Sequence, residues 1–397
     1  MNWAALVLLT TSSGAAAVAP GRDAIDSAMA ELSRLTGFSI KHPVAFELIT
    51  RDQVNKFLRD RIQESVKPDE LRAEELTLKK FGFVPPDFDL KKTTIDLLTE
   101  QTAAFYDFHR KKLYITDWAA ASLRDAALVH ELGHALADQN FPLEKFSKKV
   151  ENDSEQSLAR QAVVEGQASW LMRAALEREA SKSEKNPAPP AQAEESFPVF
   201  DNAPLYFRET LMFPYDQGIL FQQAVYERMG KEAFGYVFRH PPVSAQQLLH
   251  PESYFAGLVP AHTEVPDLKG MPKGMKQLVE GPVGELDESI LLRQYCTEAD
   301  AKDVSPHWRG GKYRLFEDRK SKRVAMVYRS AWTDPEYARK YFEMYQRVLA
   351  GKWKVLQVEN RSDTAIDGRG DDGYFRLVLA GVEVTSWEGF AEPREKN

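Results

Sequence analysis

The stretch LVHELGHALADQN, residues 128–140, carries the strongest structural and chemical signal in the chain. Its apolar residues recur at helical spacing, which predicts one buried helix face. His130 and His134 stand four residues apart and therefore share a neighbouring face of the same helix. The residues predicted to pack inward are Leu128, Leu132, Ala135 and Leu136. The stretch thus predicts an amphipathic helix that presents two imidazole side chains next to each other.

The order His130-Glu131-Leu132-Gly133-His134 suits a catalytic metal site. Two histidines one helical turn apart can bind one Zn²⁺ ion, and the glutamate after the first lies beside them without being a ligand. That carboxylate can accept a proton from a zinc-bound water, whose pKa the metal lowers to about 7. We therefore interpret His130 and His134 as zinc ligands and Glu131 as the general base. The alternative is a helix with two polar-face histidines and an incidental glutamate.

A catalytic zinc has three protein ligands and one open position, so a third ligand is required. A third histidine six residues after His134 is missing, because Asn140 holds that position. Glu165 is the predicted third ligand, since it interrupts an apolar or small stripe on the next long helix, where a lone carboxylate facing a core is costly. The alternatives are a salt-bridged surface Glu165 and, with less support, Glu155 or Asp153 at the helix start, where helix capping explains both.

Together these motifs resemble the gluzincin group of zinc metallopeptidases, and more closely a family of predicted secreted bacterial metallopeptidases. The histidine motif and Glu165 in VVEGQAS carry the resemblance, which covers about residues 100–260. It implies a gluzincin-type catalytic core with a β-hairpin whose edge aligns a peptide substrate. Gln167 stands where that family usually has an acidic residue. The other matching stretches are FYD at 105–107, KLY at 112–114, FPYDQGILF at 213–221, PPVSAQQLLHPESYF at 241–255 and, loosely, WRGGKY at 308–313.

Two residues that follow the motif are candidates for supporting its histidines. A ligating histidine usually donates its second N–H to a carboxylate or carbonyl, and Asp138 lies one turn after His134. Gln139 could bond the backbone of a nearby loop. The alternative for Asp138 is a solvated acid near a helix end.

The residue that would stabilise an oxyanion is less defined. Zinc peptidases benefit from a histidine or tyrosine donor aimed at the oxygen that becomes negative during hydrolysis. His250 and Tyr254, four residues apart, are the predicted candidates, and Tyr215 and His240 have less support. The alternative is a structural loop in which His250 satisfies buried backbone groups.

Composition excludes several classes of partner and site. The net charge is −7, with 52 basic and 59 acidic side chains among 397 residues, so no basic footprint for nucleic acid is expected. Cys296 is the single cysteine, which excludes an intrachain disulfide and a zinc site built from cysteines. After the first 20 residues no apolar run approaches the length of a membrane span.

The predicted fold is helix-rich α+β, with a zincin-like catalytic domain whose β-hairpin packs on the histidine-motif helix and a small C-terminal α+β domain of ββαββ order. An apolar run followed by small residues predicts a signal peptide at residues 1–19. A helical subdomain is predicted at 20–100 and the metallopeptidase domain at 101–260, with a mobile loop at about 181–196. The C-terminal domain is predicted at 280–397.

The sequence therefore predicts a secreted or periplasmic zinc peptidase with one catalytic Zn²⁺ ion and a peptide or protein substrate. The hydrolysis would proceed by attack of zinc-bound water assisted by Glu131. The alternative is a catalytically inactive, zinc-stabilised binding protein of the cell envelope. The intact general base favours the enzyme, because a structural zinc site does not need one.

Overall fold

The computed structural model describes residues 21–65, 67–102, 104–117, 121–182, 197–266 and 274–391. The predicted signal peptide at 1–19 lies outside these ranges. So does the predicted mobile loop at 181–196, except for its first two residues, which end a long helix.

The N-terminal segment is mostly helical, and local signals account for several of its boundaries. Thr50 and Gln53 form a reciprocal cap, with backbone-to-side-chain distances of 2.8 and 3.3 Å, at the start of the second helix. Gly82, with φ of 86°, ends the third helix in the left-handed conformation that glycine favours. The elements are α1 (Arg22–Thr36), β1 (Ala45–Ile49), α2 (Arg51–Ser65), α3 (Pro68–Phe81) and α4 (Leu90–Gln101).

A three-stranded sheet lies beside the histidine-motif helix. The strands β2 (Ala104–Asp107) and β3 (Lys112–Thr116) form an antiparallel hairpin, and β1 pairs in parallel with β3, which gives the order β1-β3-β2. The helix α5 (Ala121–Asn140) follows the hairpin. Side chains of the hairpin, of α1 and of α5 form one buried apolar cluster, which includes the motif residues predicted to pack inward.

Seven further helices complete the central region. Among them α9 continues through Pro214 and packs against the preceding long helix, although proline removes one hydrogen bond from the helix interior. The elements are α6 (Leu143–Lys148), α7 (Ser154–Lys182), α8 (Pro198–Asp201), α9 (Leu205–Met229), α10 (Glu232–Arg239), α11 (Ala245–Leu249) and α12 (Pro251–Phe255).

The C-terminal region has an antiparallel sheet of seven strands with helices against it. The predicted ββαββ order accounts for only part of this region, because the sheet has seven strands. Their order in the sheet is β4-β5-β6-β10-β9-β8-β7. The elements are β4 (Met275–Pro282), α13 (Glu285–Tyr295), α14 (Glu298–Val304), β5 (Trp308–Asp318), β6 (Val324–Trp332), α15 (Pro335–Lys352), β7 (Leu356–Arg361), β8 (Ala365–Gly370), β9 (Gly373–Ala380) and β10 (Glu383–Phe390). A short 3₁₀ turn at Ser305–His307 precedes β5. The mixed α+β class is confirmed.

One apolar core connects the C-terminal sheet with α3, α7 and α9. Phe81 at the end of α3 packs edge-on against Tyr313 and Tyr328 of the sheet, with ring centroids 5.5 and 5.3 Å away. The N-terminal segment thus contributes to the C-terminal core, and the predicted domain limits stay predictions. None of the helices in the described ranges combines the length and the apolar character that a bilayer span requires.

Candidate metal centre

Three of the predicted site residues converge in the interior. His130 and His134 on α5 are each 1% exposed, and Glu165 on α7 is 0% exposed. The Glu165 Oε2 atom lies 3.2 Å from Nε2 of His130 and 3.3 Å from Nε2 of His134. Each of the three side chains offers one candidate ligand atom, and these three atoms all lie within 4.8 Å of one another. The structure therefore brings together two imidazoles and one carboxylate that follows His130 by 35 residues and His134 by 31 in the sequence.

Small residues allow the three helices around this cluster to approach closely. A side-chain carbon on Gly133 of α5 would stand 3.5 Å from the backbone of Ala168 on α7, which is ordinary contact. The approach of α7 to α9 is much closer. A carbon on Gly166 would stand 2.1 Å from the backbone of Gly218, where no side chain fits. Packing therefore requires glycine at position 166, directly after Glu165, because a side chain there would keep α9 away from the cluster.

The charges in the cluster stabilise one another. Burial alone would raise the pKa of Glu165, but His134 and the contacts with both imidazoles outweigh it and lower that pKa to about 2. Burial lowers the pKa of His130 to about 4, although Glu165 opposes the shift. Burial also acts to lower the pKa of His134, but the negative charge of Glu165 outweighs it and the net shift is upward. An ionised Glu165 thus faces one imidazole that is neutral at pH 7 and one that readily accepts a proton.

The donor set could hold a divalent metal ion, and its spacing can be compared with that of a zinc site. Two ligands of a tetrahedral zinc at about 2.0–2.1 Å stand roughly 3.3 Å apart, close to the distances between Glu165 and the two imidazoles. Within the described ranges, the buried atoms Oε1 of Glu165 and Nδ1 of His134 have no hydrogen-bond partner. Two histidines and one glutamate are the protein ligands of one common class of catalytic zinc site.

Glu131 lies beside the cluster and is 0% exposed. Its Oε2 accepts a hydrogen bond of 2.5 Å from the backbone N–H of Tyr106 on β2, and its Oε1 has no partner in the described part of the chain. Burial raises the pKa of the Glu131 carboxyl to about 8, and the charge of Glu165 acts in the same direction. The Tyr106 amide was not predicted to contribute, because the sequence indicated only strand packing for this tyrosine.

Tyr215 on α9 is the oxyanion candidate that the fold brings to the cluster. Its ring centroid lies 6.2 Å from that of His130, and its hydroxyl hydrogen-bonds to Glu165. Burial and the negative charge of Glu165 raise the pKa of Tyr215 well above its usual range. Tyr215 was predicted with less support than His250 and Tyr254. The FPYDQGILF stretch that contains it was noted only as part of the resemblance.

Asp138 and Gln139 bond to neighbouring segments and not to the cluster histidines. Asp138 accepts from the hydroxyl of Tyr106 at 3.0 Å, from Nζ of Lys111 at 2.6 Å and from the backbone N–H of Leu143 at 3.0 Å. It therefore holds the hairpin against α5. Gln139 bonds the backbone of the loop before β1, as the sequence suggested. Its Oε1 accepts from the backbone N–H of Lys41 at 2.7 Å, and its Nε2 donates to the backbone oxygen of His42 at 3.0 Å.

His250 and Tyr254 have partners elsewhere. His250 Nε2 lies 2.8 Å from a carboxylate oxygen of Glu285 on α13. The Tyr254 hydroxyl donates to the backbone oxygen of His240 at 2.5 Å. In the described ranges neither side chain has a hydrogen bond or ring contact with the three-residue cluster, so the oxyanion role of both stays a prediction without structural support. The arrangement around His250 agrees with the structural alternative.

The remaining candidates also lie outside the cluster. Asp153 accepts from the backbone N–H of Gln156 at 3.0 Å, as a residue that caps α7 does. The Glu155 carboxylate instead accepts from the backbone N–H of Ala245 at 3.1 Å, at the start of α11, so it does not cap its own helix. Gln167 donates to the backbone oxygen of Phe234 at 3.0 Å. It therefore joins α7 to α10.

Comparison with known proteins adds one finding, and it concerns the C-terminal region. A family model described as a domain of unknown function (DUF8575) matches residues 272–395. This segment comprises the seven-stranded sheet with α13, α14 and α15, and it does not contain the metal cluster. Neither a curated protein nor a solved structure matches the sequence.

Proposed function

We propose that this protein is a zinc-dependent peptidase, with His130, His134 and Glu165 as the zinc ligands and Glu131 as the general base. One observation carries the proposal. The three candidate ligands converge within 4.8 Å of one another, and a fourth buried residue, Glu131, lies beside them with one carboxylate oxygen lacking a partner in the described ranges. A structural zinc site closes all four positions with protein ligands and has no use for such a carboxylate.

The residues of the chain divide the chemical work. When bound, zinc would polarise the scissile carbonyl group and lower the pKa of a water molecule to about 7. Glu131 accepts the proton of the attacking water at Oε1, because Oε2 is held by the Tyr106 amide. It would do so as a carboxylate, because a cation bound beside it offsets the effect of burial on its pKa. The same carboxyl then delivers that proton to the leaving amine. Rotation of Glu131 is restricted by its hydrogen bond, so the proton acceptor keeps a defined orientation.

Tyr215 is proposed as the donor to the substrate carbonyl oxygen. Its raised pKa keeps the hydroxyl protonated at neutral pH, and its hydrogen bond to Glu165 holds the ring at the cluster. A preoriented donor at this position would act on the oxygen that gains negative charge. In the ground state the same hydroxyl fixes the orientation of the Glu165 carboxylate.

The proposal includes a zincin-like core formed by α5, α7 and the hairpin. The support is the double attachment of Tyr106, whose backbone binds Glu131 and whose hydroxyl binds Asp138. The outer edge of β2 thereby faces the general base, and the proposed peptide would align along the part of this edge that Glu131 does not occupy. The proposed location is outside the cytoplasm and rests on the leader-like residues 1–19.

The test uses the chain without residues 1–19, with zinc measured by elemental analysis and cleavage measured on casein, a largely unfolded protein. Glu131→Gln should retain one zinc ion and lose about 10²–10⁴-fold in kcat/KM, the usual contribution of a general base. Glu232→Gln changes an exposed glutamate on α10 and serves as the matched control. Equal activity of Glu131→Gln and wild type would refute the assignment of the base.

Glu165→Ala separates metal binding from proton transfer. The mutation should weaken zinc binding by about 10²–10³-fold, since total zinc binding energies of about 10–16 kcal/mol imply roughly 3 kcal/mol per ligand. Zinc affinity is measured by competition with a chelator. Normal zinc binding by Glu165→Ala would overturn the third ligand. Stoichiometric zinc with no cleavage by the wild type would instead support a zinc-stabilised binding protein.

A further inference from the structure

The strand β1 leaves one edge of the three-stranded sheet unpaired. It is the outer strand in the order β1-β3-β2, and its residues Ala45, Glu47 and Leu48 are exposed. No turn, loop or side chain in the described ranges makes a hydrogen bond to the backbone of Phe46 or Leu48. Exposed strand edges are usually blunted or covered, because their free N–H and C=O groups pair readily with another chain.

The pairing register shows which backbone groups point outward. The Ile49 carbonyl accepts from the N–H of Asp117 at 3.1 Å, so the Ile49 backbone faces β3. Backbone direction alternates along a strand, so Glu47 also faces β3 whereas Phe46 and Leu48 face away from it. The outer edge thus presents the N–H and C=O groups of two alternate residues, which is the pattern that an added β-strand can pair with.

A cleft of about 570 Å³ opens beside this edge and is lined by side chains of β1, α2 and the hairpin. Phe57 and Tyr114 lie along it with ring centroids 6.2 Å apart. The guanidinium groups of Arg61 and Arg110 approach the Phe57 ring to 5.5 and 5.7 Å from its centroid. Alternate side chains of a strand added to β1 would point over this cleft, since successive side chains point to opposite faces. Charged side chains line much of the cleft beside these rings, among them Glu47, Lys56 and Asp60.

We propose that the outer edge of β1 and this cleft bind an extended segment of the polypeptide substrate, away from the bond that is cleaved. The inference rests on the proposed peptidase function, because it assigns one strand edge of the sheet to recognition and the opposite one to catalysis. The β2 edge faces Glu131 through the Tyr106 amide. The occupant is an unfolded chain and not a folded partner, because unpaired backbone groups select an extended strand and carry little sequence preference.

The geometry gives the substrate a minimum length. Positions just beyond β1 and just beyond β2 are separated by four strand spacings, roughly 19 Å at about 4.8 Å each. An extended chain needs about six residues to cover that distance at about 3.3 Å per residue. A hexapeptide therefore reaches the catalytic edge alone, whereas casein can occupy both edges.

The variant Leu48→Pro tests the edge, since proline removes the outward N–H but none of the hydrogen bonds to β3. Leu48→Ala is its matched control, because it shortens the same side chain and keeps the N–H. Binding of fluorescein-labelled casein is measured by anisotropy in the Glu131→Gln background, where no cleavage interferes. Leu48→Pro should raise Kd about tenfold, and Leu48→Ala should stay within about twofold. In the cleaving protein, Leu48→Pro should raise KM for casein but leave kcat/KM for a hexapeptide unchanged.

Amide exchange gives an outcome that does not depend on the fold of a proline variant. In Glu131→Gln protein with casein bound, the amides of Phe46 and Leu48 should exchange at least about tenfold more slowly, whereas that of Glu47 should not change. Unchanged exchange at Phe46 and Leu48, or equal casein affinity for Leu48→Pro and Leu48→Ala, would overturn the proposal. Edge protection that rises with protein concentration alone would also overturn it, because the occupant would then be a second copy. Casein binding and zinc content are measured without turnover, so failure of the peptidase assignment is seen separately.

Discussion

Two regions of this protein bury carboxylates, and they do so in opposite ways. In the metal cluster, the buried Glu165 contacts two imidazoles through one oxygen, and its other oxygen has no partner in the described ranges. In the C-terminal region, Glu388 on β10 is equally buried. There Lys352 donates to Oε2 at 2.7 Å, while Tyr345 and Ser386 donate to Oε1 at 2.7 and 2.9 Å.

The two buried carboxylates differ in what compensates their charge, which separates a structural role from the proposed functional one. A buried charge persists when it is paired and hydrogen-bonded, and Glu388 has a cation and two hydroxyl donors. The partners of Glu165 are two imidazoles and the hydroxyl of Tyr215. A neutral imidazole donates through one ring nitrogen and can bind a metal ion through the other. The charge of Glu388 is therefore compensated within the protein, whereas the Glu165 cluster could also hold a metal ion.

The largest effect on the structural side of this comparison is expected for Lys352→Met. The mutation leaves Glu388 buried without its cation, which should cost about 3–5 kcal/mol of unfolding free energy. Urea unfolding measures the loss, and elemental analysis should show unchanged zinc content. A large loss of zinc in folded Lys352→Met would break the distinction between the two regions.

Gly218→Ala tests the functional side through the packing of α9. Its added carbon would stand 2.4 Å from the backbone oxygen of Ala162, so α7 and α9 must move apart at a cost of about 1–3 kcal/mol. Tyr215 should move with α9, and activity should fall while zinc stays bound. Gly133→Ala is the control, since its carbon would make ordinary contacts and alanine favours a helix by about 1 kcal/mol. Comparable losses of unfolding free energy in both variants would contradict this account.

A pH-dependent effect is expected for Glu288 on α13, which is 0% exposed and accepts a hydrogen bond from the hydroxyl of Tyr328. Burial raises the pKa of Glu288 from an ordinary 4.5 to about 8, so the folded protein holds a proton that the unfolded chain releases. The contribution of Glu288 to the unfolding free energy should therefore fall as pH rises from 4.5 to 8, by about 1.4 kcal/mol per pH unit.

Glu288→Gln cannot titrate, so the difference in unfolding free energy between wild type and this variant should show that slope. Urea unfolding at intervals between pH 5 and 8 measures it, and the other titrating groups cancel in the comparison. Parallel pH profiles of the two proteins would show that Glu288 does not hold its proton. Zinc content at pH 7 should be equal in both.

Several elements could be predicted because their signals are local. The reciprocal cap at Thr50 and Gln53, the end of α3 at Gly82 and the hairpin all depend on residues a few positions apart. Helix α1 was not predicted individually, although its apolar residues recur at helical spacing and it lies within the helical subdomain predicted at 20–100. Strand β10 was missed because it contains Glu388, which is tolerated in a sheet interior only where Lys352 and Tyr345 reach it.

Helical periodicity alone places His130 and His134 on one helix face and makes Glu165 an interruption of an apolar stripe, so both features could be predicted. The contact of Tyr215 with Glu165, the bonds of Asp138 to the hairpin and the unpaired edge of β1 are visible only in the folded chain. The physical reason is sequence separation. Tyr215 stands 50 residues after Glu165, and it arrives there because two helix backbones can touch at Gly166, a contact that no local pattern encodes.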